Sequence, residues 1–412
     1  MTQAYNCLYA HSGGVSSALN ATAAGVITMA KQSKLIHNIL IPKHGLPGLL
    51  NHQLINATHL SQSQLNRLYH TPSSAFGTSR FKLPKFEENP EIYDQIHQAL
   101  LAHQIRYFLY NGGGDSQDTT LKLAQYFNLI NSPIQCLGLP KTIDNDLAMT
   151  EYCPGYGSCA KYVATSILEA TMDIQAVYPS STKVFILEVM GRHSGWLAAA
   201  SALARSHSPD APHMILLPER PQSFKDICNM IQLHMAKSGF CTMVVAEGFS
   251  LQEALVSDTV GVEKCPFGHQ QLGGIAQRLT KMIKSTLKLK TRFANADYLQ
   301  RASGHLASQV DLDIAFRIGQ KAVLMLESGM SGSMITVCDQ LLGHCPLEQV
   351  ANTEKLLPNH FISKCGMDVT QAFINYASPY IQGNTQPPYQ GGLPDYFQPS
   401  ELLLLEAQET LL

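Results

Sequence analysis

Three stretches of the chain concentrate residues that could act on phosphate. Pro140-Lys141-Thr142-Ile143-Asp144-Asn145-Asp146 sets two carboxylates beside a lysine and a threonine. Such a loop offers a cation, a hydroxyl and two bases for proton transfer. Asp and Asn also favour turns, but a turn alone explains neither the lysine nor the paired aspartates. Asn111-Gly112-Gly113-Gly114-Asp115-Ser116 joins a glycine run to one carboxylate. Glycine removes side-chain bulk, bare amides bind anionic oxygens, and a carboxylate can hold Mg²⁺. Asp115 could equally cap the helix that follows. Ala10-His11-Ser12-Gly13-Gly14-Val15 carries a glycine pair that would let the backbone approach a phosphate; a plain tight turn is the competing reading. The chain contains no Gly-Lys dipeptide, which excludes a P-loop.

All three stretches follow short apolar runs and precede amphipathic ones. Strands are expected at Asn6–Ala10, Ile39–Pro42, Tyr107–Asn111, Ile134–Leu139, Lys183–Val189, Met214–Leu217 and Thr242–Ala246. Helices are expected at Ser17–Lys31, Ile92–Gln104, Ser116–Phe127, Lys161–Val177, Gly195–Ala204, Phe224–Lys237 and Leu272–Leu287. This alternation predicts an α/β fold with parallel sheets flanked by helices. Ligands in such folds sit outside the carboxyl ends of strands, where these loops lie. Two segments are rich in proline and glycine. Cys153–Gly157 is a candidate domain crossing. Gly383–Pro394 reads as a surface loop before a short helix over Ser400–Glu406. Gly155–Ala160 fits a loose dinucleotide fingerprint but follows Pro154 instead of a strand, so a helix-opening turn is expected and no nicotinamide site. The lone Trp196 reads as packing.

Composition narrows the classes. Of 412 residues, 45% are hydrophobic and 15% charged, enough apolar content for a large core. The formal net charge is -2 and the pI about 6.7, against a nucleic-acid binder. No run approaches the roughly 18 apolar residues of a membrane span, and the N-terminus lacks the basic and apolar regions of a signal peptide. The ten cysteines show no Cys-x-x-Cys and no pairing pattern. They read as buried thiols of a reducing cytoplasm. The sixteen histidines show no His-x-x-x-His spacing.

Taken in order, Gly13-Gly14, Gly112–Ser116, Pro140–Asp146, Met190-Gly191-Arg192, Pro218-Glu219 and Tyr298-Leu299-Gln300-Arg301 span most of the chain. This series resembles the phosphofructokinase family, and within it the pyrophosphate-dependent branch. PKTIDND followed by MGR is the most specific part. The resemblance implies two Rossmann-like lobes that exchange chain, with the active site in the cleft between them. The first lobe would hold residues 1–155 and 300–355, the second 156–299 and 356–412. The implied reaction is reversible transfer of a phosphoryl group from pyrophosphate to the C1 hydroxyl of fructose 6-phosphate, serving glycolysis and gluconeogenesis.

The resemblance also implies roles. Asp144 matches the general base, and Asp146 a second carboxylate that supports the base or the metal. Lys141 and Asp115 discriminate the donor, since the ATP-using branch carries glycine at both places. Gly13, Gly14, Arg80, Gly113, Gly114 and Ser116 match the donor-phosphate site. Thr142, Ile143, Met190, Gly191, Arg192 and Glu219 match the sugar segments, and Tyr298 and Arg301 the grip on the 6-phosphate. His193 lies beside Arg192, near the sugar or in an ordinary polar contact. Arg292 and Lys183 match residues that the family reaches across a subunit interface, which implies a homodimer or higher oligomer. Mg²⁺ is the implied cofactor, held by Asp115 and Asp146.

The sequence departs from the pattern in places. Gly114 stands where the family usually has an Asp or Asn that carries the metal. Val15 replaces an aspartate, and Tyr298 a histidine. Lys183 stands where arginine is usual. Rival readings are an ATP-using or sedoheptulose 7-phosphate-directed kinase of the same fold, and a catalytically silent regulatory subunit that binds sugar phosphate. Gly114 favours the silent subunit; Asp144, Asp146, Lys141 and Arg192 oppose it.

Overall fold

The computed structural model describes residues 4–253 and 274–401. Eleven strands build its two main sheets: β1 (Tyr5–His11), β2 (Ile36–Pro42), β3 (Leu54–Asn56), β4 (Ile105–Gly112), β5 (Gln135–Pro140), β6 (Val184–Val189), β7 (Met214–Leu216), β8 (Cys241–Ala246), β9 (Thr291–Asn295), β10 (Ser333–Cys338) and β11 (Leu341–Pro346). Helices that bear on the site are α1 (Leu19–Ala30), α2 (Gly114–Leu129), α3 (Tyr156–Val177), α4 (Ile275–Leu287) and α5 (Gln309–Glu327). The fold is α/β with parallel sheets, as expected.

The chain divides into two compact units. The first comprises Met1–Gly155, Gln309–Glu354 and Asn384–Leu412, as far as these are described; the second comprises Tyr156–Ser308 and Lys355–Gly383. The crossing from the first to the second falls inside the Cys153–Gly157 segment. Gly155 has φ +102°, and α3 starts at the next residue, so this segment is the helix-opening turn anticipated from Pro154. The segment from Asn384, grouped with the second lobe in the expected division, belongs to the first unit by its contacts. Phe397 is buried with its ring 6.1 Å from that of Phe76. Its N–H donates to Thr71 Oγ1 at 2.9 Å, and Asp395 pairs with Arg67 at 3.6 Å. The helix expected over Ser400–Glu406 lies mostly outside the described residues; a 3₁₀ turn covers Pro399–Glu401.

The sheet of the first unit runs β11-β10-β5-β4-β1-β2-β3. Its middle five strands are parallel, and β11 and β3 are antiparallel edges. From β1 the chain passes to β2 on one side and returns later to β4 on the other. The crevice between the β1 and β4 ends is therefore a topological switch point, where such folds bind ligands. One side of this sheet packs Leu8, Ala10, Phe108, Tyr110 and Cys136 into a core with Leu123, Tyr126 and Phe127 of α2. The second unit carries an all-parallel sheet ordered β7-β8-β6-β9. Val184, Ile186, Met243 and Val245 pack there against Leu279 and Ile283 of α4.

Every expected strand is present, with ends shifted by a few residues. The helices are also present, the one expected over Leu272–Leu287 running from Ile275, with residues 272 and 273 outside the described residues; Gly195–Ala204 resolves into a short α-helix over Trp196–Ala200 and a 3₁₀ turn over Ser201–Ser206. Trp196 packs against Phe361, Phe373 and Tyr376. Among the described residues no helix is long and apolar enough to cross a membrane.

Candidate active site

Four loops of the first unit are bonded into one cluster at the carboxyl ends of β1, β4 and β5. The Ser12–Gly14 loop leaves β1, and its Ser12 Oγ accepts from Ser116 Oγ at 2.8 Å. Gly112 ends β4 against this contact: a Cβ there would fall 2.1 Å from Ser116 Oγ, so no other residue fits. Lys141 leaves β5 with its N–H on the Gly112 carbonyl at 3.2 Å. Its side chain is only 4% exposed. The Nζ donates to the Ser12 carbonyl at 2.9 Å and to that of Gly14. The fourth loop brings Arg80. Gly13 N–H donates to Ser79 O at 3.0 Å, and Thr78 Oγ1 donates to Gly13 O at 2.9 Å. Arg80 itself is exposed.

Gly113 is the N-cap of α2, and Asp115 lies in the first helical turn. The start of a helix gathers unpaired amides and positive dipole charge, which suit an anion. A Cβ on Gly114 would meet nothing within 4 Å. The position has open space around it, and Asp115 is the sole carboxylate of this loop.

The turn after Lys141 is shaped by its own polar residues. Thr142 Oγ1 accepts from Asp144 N–H at 3.1 Å. Asn145 is fully buried with φ +52°, a left-handed conformation that asparagine tolerates better than most residues. Its Oδ1 accepts from Cys153 N–H at 3.0 Å. Asn145 thus reverses the chain and leaves Asp144 and Asp146 half-buried on either side. Ile143 is buried, and Thr142 bridges to Gly155. The first unit therefore gathers Gly13, Gly14, Arg80, Gly113, Gly114, Asp115, Ser116, Lys141, Thr142, Ile143, Asp144 and Asp146 onto four adjoining loops.

The second unit presents another group at the carboxyl ends of its strands. Met190-Gly191-Arg192 follows β6 and Glu219 follows β7. Glu219 Oε1 accepts from Gly195 N–H at 2.8 Å and Leu357 N–H at 3.1 Å. Its Oε2 is buried with no hydrogen-bond partner, so one oxygen anchors the residue and the other remains to accept. Arg192 Nη1 is likewise buried and unsatisfied. Tyr298 and Arg301 follow β9, with the guanidinium carbon 4.0 Å from the centre of the Tyr298 ring.

Lys183 and Arg292 lie elsewhere. Lys183 immediately precedes β6, and Arg292 pairs with Phe185 near the amino end of that strand. Six residues of β6 separate Lys183 from Met190, a rise of about 20 Å. Lys183 Nζ turns back to the carbonyls of Tyr178 and Pro179, while Arg292 is exposed.

Several residues of these clusters escaped the sequence reading. Gln117 Nε2 bridges the Gly112 and Leu139 carbonyls at 2.8 and 3.0 Å, bracing the ends of β4 and β5. Gln300 Oε1 accepts from Met190 N–H at 3.2 Å and ties the Arg301 turn to the β6 loop. Nothing in their types signals this. Glu247 was findable, because it directly follows β8. Its N–H donates to Val189 O at 2.9 Å, and Gly248 N–H to Gly191 O at 3.1 Å. A Cβ on Gly248 would lie 1.8 Å from Arg192 O, so the close approach requires glycine. Burial raises the Glu247 carboxyl above its ordinary range, opposed by the Arg192 charge and a Gly191 amide.

Among the described residues no three His, Cys, Asp or Glu side chains converge to hold a metal. The donor loops supply one carboxylate after β4, Asp115, and two after β5, Asp144 and Asp146. That suits Mg²⁺, which binds through one or two carboxylates together with substrate phosphates and water, and not a protein-only cage.

The phosphofructokinase family profile matches residues 6–326. The chain belongs to the phosphofructokinase family. A Xanthomonas campestris pv. campestris protein named pyrophosphate–fructose 6-phosphate 1-phosphotransferase is 42% identical, with 95% of each chain covered. A Halomonas elongata protein of the same name is 41% identical over 95% of each chain. The crystal structure of a pyrophosphate-dependent phosphofructokinase from Nitrosospira multiformis matches with a TM-score of 0.88 at 39% identity, covering 98% of both chains. Within a phosphofructokinase the motif order from Gly13 to Arg301 is thus accounted for.

Proposed function

We propose that this phosphofructokinase transfers a phosphoryl group from pyrophosphate to the C1 hydroxyl of fructose 6-phosphate, giving fructose 1,6-bisphosphate and phosphate, reversibly. The observation that carries it is the four-loop cluster with a buried lysine at its centre and carboxylates at its edge. Asp144 takes the proton of the C1 hydroxyl. The freed oxygen attacks one phosphorus of pyrophosphate, the bridging P–O bond breaks, and phosphate leaves. The Lys141 ammonium faces the transferred and leaving oxygens, a fixed charge that needs no reorganisation as the transition state forms. The amides of Gly14, Gly113 and Gly114, with Arg80, hold the donor oxygens, while Gly13 and Ser116, whose own amides donate to the Ser79 and Gly113 carbonyls, shape the loops around them. Mg²⁺, bound through Asp115 and Asp146 with phosphate oxygens, would neutralise the charge that develops between them.

Thr142 and Ile143 line the acceptor side of the donor loops. Met190, Gly191 and Arg192 shape the sugar segment. Glu219 Oε2 accepts from a sugar hydroxyl, which satisfies an otherwise orphaned buried oxygen. Arg301 clamps the 6-phosphate with its planar fork, and Tyr298 supports it by stacking. Asp115 disfavours ATP, because a carboxylate would crowd the nucleotide's α-phosphate, which pyrophosphate lacks. Lys183 and Arg292 support a homodimer: at the far end of their sheet, they would serve the sugar phosphate of a partner copy. The free thiols of the described cysteines fit the cytoplasm.

The reverse reaction tests the assignment. Fructose 1,6-bisphosphate and inorganic phosphate should yield pyrophosphate and fructose 6-phosphate, detected by phosphorus NMR. Hydrolysis to fructose 6-phosphate with no pyrophosphate formed would refute it.

A further inference from the structure

His11, the last residue of β1, is 1% exposed and has no part in the chemistry above. Its Nδ1 lies 2.8 Å from Ser74 Oγ and its Nε2 3.1 Å from the Tyr9 hydroxyl. Tyr9 Oη accepts from Asn111 Nδ2 at 2.8 Å. Ser74 Oγ donates to the Gly77 carbonyl at 2.7 Å. Counting protons fixes the direction of every bond. A hydroxyl has one hydrogen, and Ser74 gives its own to a carbonyl, which can only accept. Ser74 must therefore receive the Nδ1–H of His11. A neutral imidazole has one N–H, so Nε2 is bare and accepts the Tyr9 hydroxyl. The chain runs Asn111 to Tyr9 to His11 to Ser74 to Gly77, with each hydrogen used once. The Nδ1–H tautomer follows from its neighbours.

The ends of this chain sit where the donor loops begin. Asn111 directly precedes Gly112–Ser116, and His11 directly precedes Ser12–Gly14. Ser74 and Gly77 open the segment that ends in Arg80, and that segment bonds back to Gly13 through Thr78 and Ser79. We infer that His11 is a positioning residue for the phosphoryl donor: its neutral imidazole sets the spacing of both glycine loops and the Arg80 segment around pyrophosphate. This rests on the pyrophosphate reading of those loops. A buried, fully satisfied network has one low-energy arrangement, which suits a site that must hold several amides against one anion. Burial, with a smaller contribution from the Lys141 ammonium, pushes the imidazole down to about 3, so the single-N–H form is kept at any working pH.

The test compares variants that cut one arm at a time. In His11→Gln the amide oxygen can replace Nε2 and accept from Tyr9, but the donor to Ser74 is lost. Ser74→Ala removes the same bond from the other side. In His11→Asn the amide nitrogen can replace Nδ1–H and keep it. His11→Gln and Ser74→Ala should each raise KM for pyrophosphate about tenfold while KM for fructose 6-phosphate stays within about twofold. The double variant should be no worse than the worse single, since both cut one bond, and His11→Asn, which keeps the 2.8 Å bond to Ser74 and loses the longer one to Tyr9, should raise KM for pyrophosphate less than His11→Gln does. Equal rises in both KM values, additive effects, or a His11→Asn variant as poor as His11→Gln would each overturn the inference. Ser74→Ala keeps the comparison available should a His11 variant fold poorly. Absence of pyrophosphate turnover in the wild type would instead strike the donor reading itself, and the inference with it.

Discussion

Lys141→Met replaces the buried ammonium by an uncharged chain of similar length, and its cost divides into two parts. Nζ donates to the Ser12 and Gly14 carbonyls. Hydrogen bonds from a charged donor contribute about 1.5–3 kcal/mol each, so the substitution forfeits roughly 3–6 kcal/mol gross. It also relieves the desolvation of an ammonium that is 4% exposed, a penalty of several kcal/mol. The two largely offset. A net loss of about 1–3 kcal/mol is expected, and at this chain length a fall in Tm of about 1–4 °C. The rate has no such offset. A fixed charge on the phosphoryl oxygens is worth about 10²–10³ in kcat, or about 2.7–4 kcal/mol. Calorimetry on the variant, beside a coupled assay of fructose 1,6-bisphosphate formation at saturating pyrophosphate, separates the two. A kcat within about threefold of wild type would refute the charge role, because the transition-state term is at least about a hundredfold.

Further substitutions probe the other groups. Asp144→Ala should lower kcat about 10²–10⁴-fold while fructose 6-phosphate still binds in calorimetric titration; a rate close to wild type would remove Asp144 as the base. Arg301→Ala should raise KM for fructose 6-phosphate far more than for pyrophosphate, as lost ground-state binding does, whereas equal rises would make the arginine structural. His11 gives a pH signature. Its folded pKa is depressed from 6.5 to about 3, so the unfolded chain binds the proton more readily. That contribution to stability is complete above the unfolded value and is lost as pH falls towards the folded one, at up to about 1.4 kcal/mol per pH unit. Between pH about 6 and about 4, Tm of the wild type should fall more steeply than that of His11→Asn, and parallel curves would contradict it.

Much of this molecule is legible in its sequence because the chemistry-bearing loops follow strands that are buried and apolar. Tyr5–His11, Ile105–Gly112 and Gln135–Pro140 announce themselves by composition, and the loops after them are the four-loop cluster, apart from the Arg80 segment. Edge strands do not announce themselves. Thr291–Asn295 is exposed along all but its first residue, so no alternation marks it, and Leu341–Pro346 is mostly exposed. Helix α5 was missed although Leu312, Ala315, Ile318, Ala322 and Met325 recur at helical spacing; its interspersed charges hid a readable pattern. Roles set by partners distant in sequence stayed invisible. Gln117, Gln300 and Asn145 are ordinary polar residues until the fold brings carbonyls and amides to them. Asn145 explains after the fact why an asparagine separates the two aspartates. Lys183 and Arg292 show the opposite limit: motif position assigned them to the sugar phosphate, and only the sheet shows that they leave from its other end.

The donor is the central claim, and the wild-type protein tests it directly. Purified enzyme with fructose 6-phosphate and Mg²⁺ should form fructose 1,6-bisphosphate when pyrophosphate is supplied, with one phosphate released per turnover. With ATP in place of pyrophosphate, the same preparation should form negligible product. Robust turnover with ATP and none with pyrophosphate would contradict the roles of Asp115 and Lys141, and no turnover with either would place the chain among proteins that bind sugar phosphate without phosphorylating it.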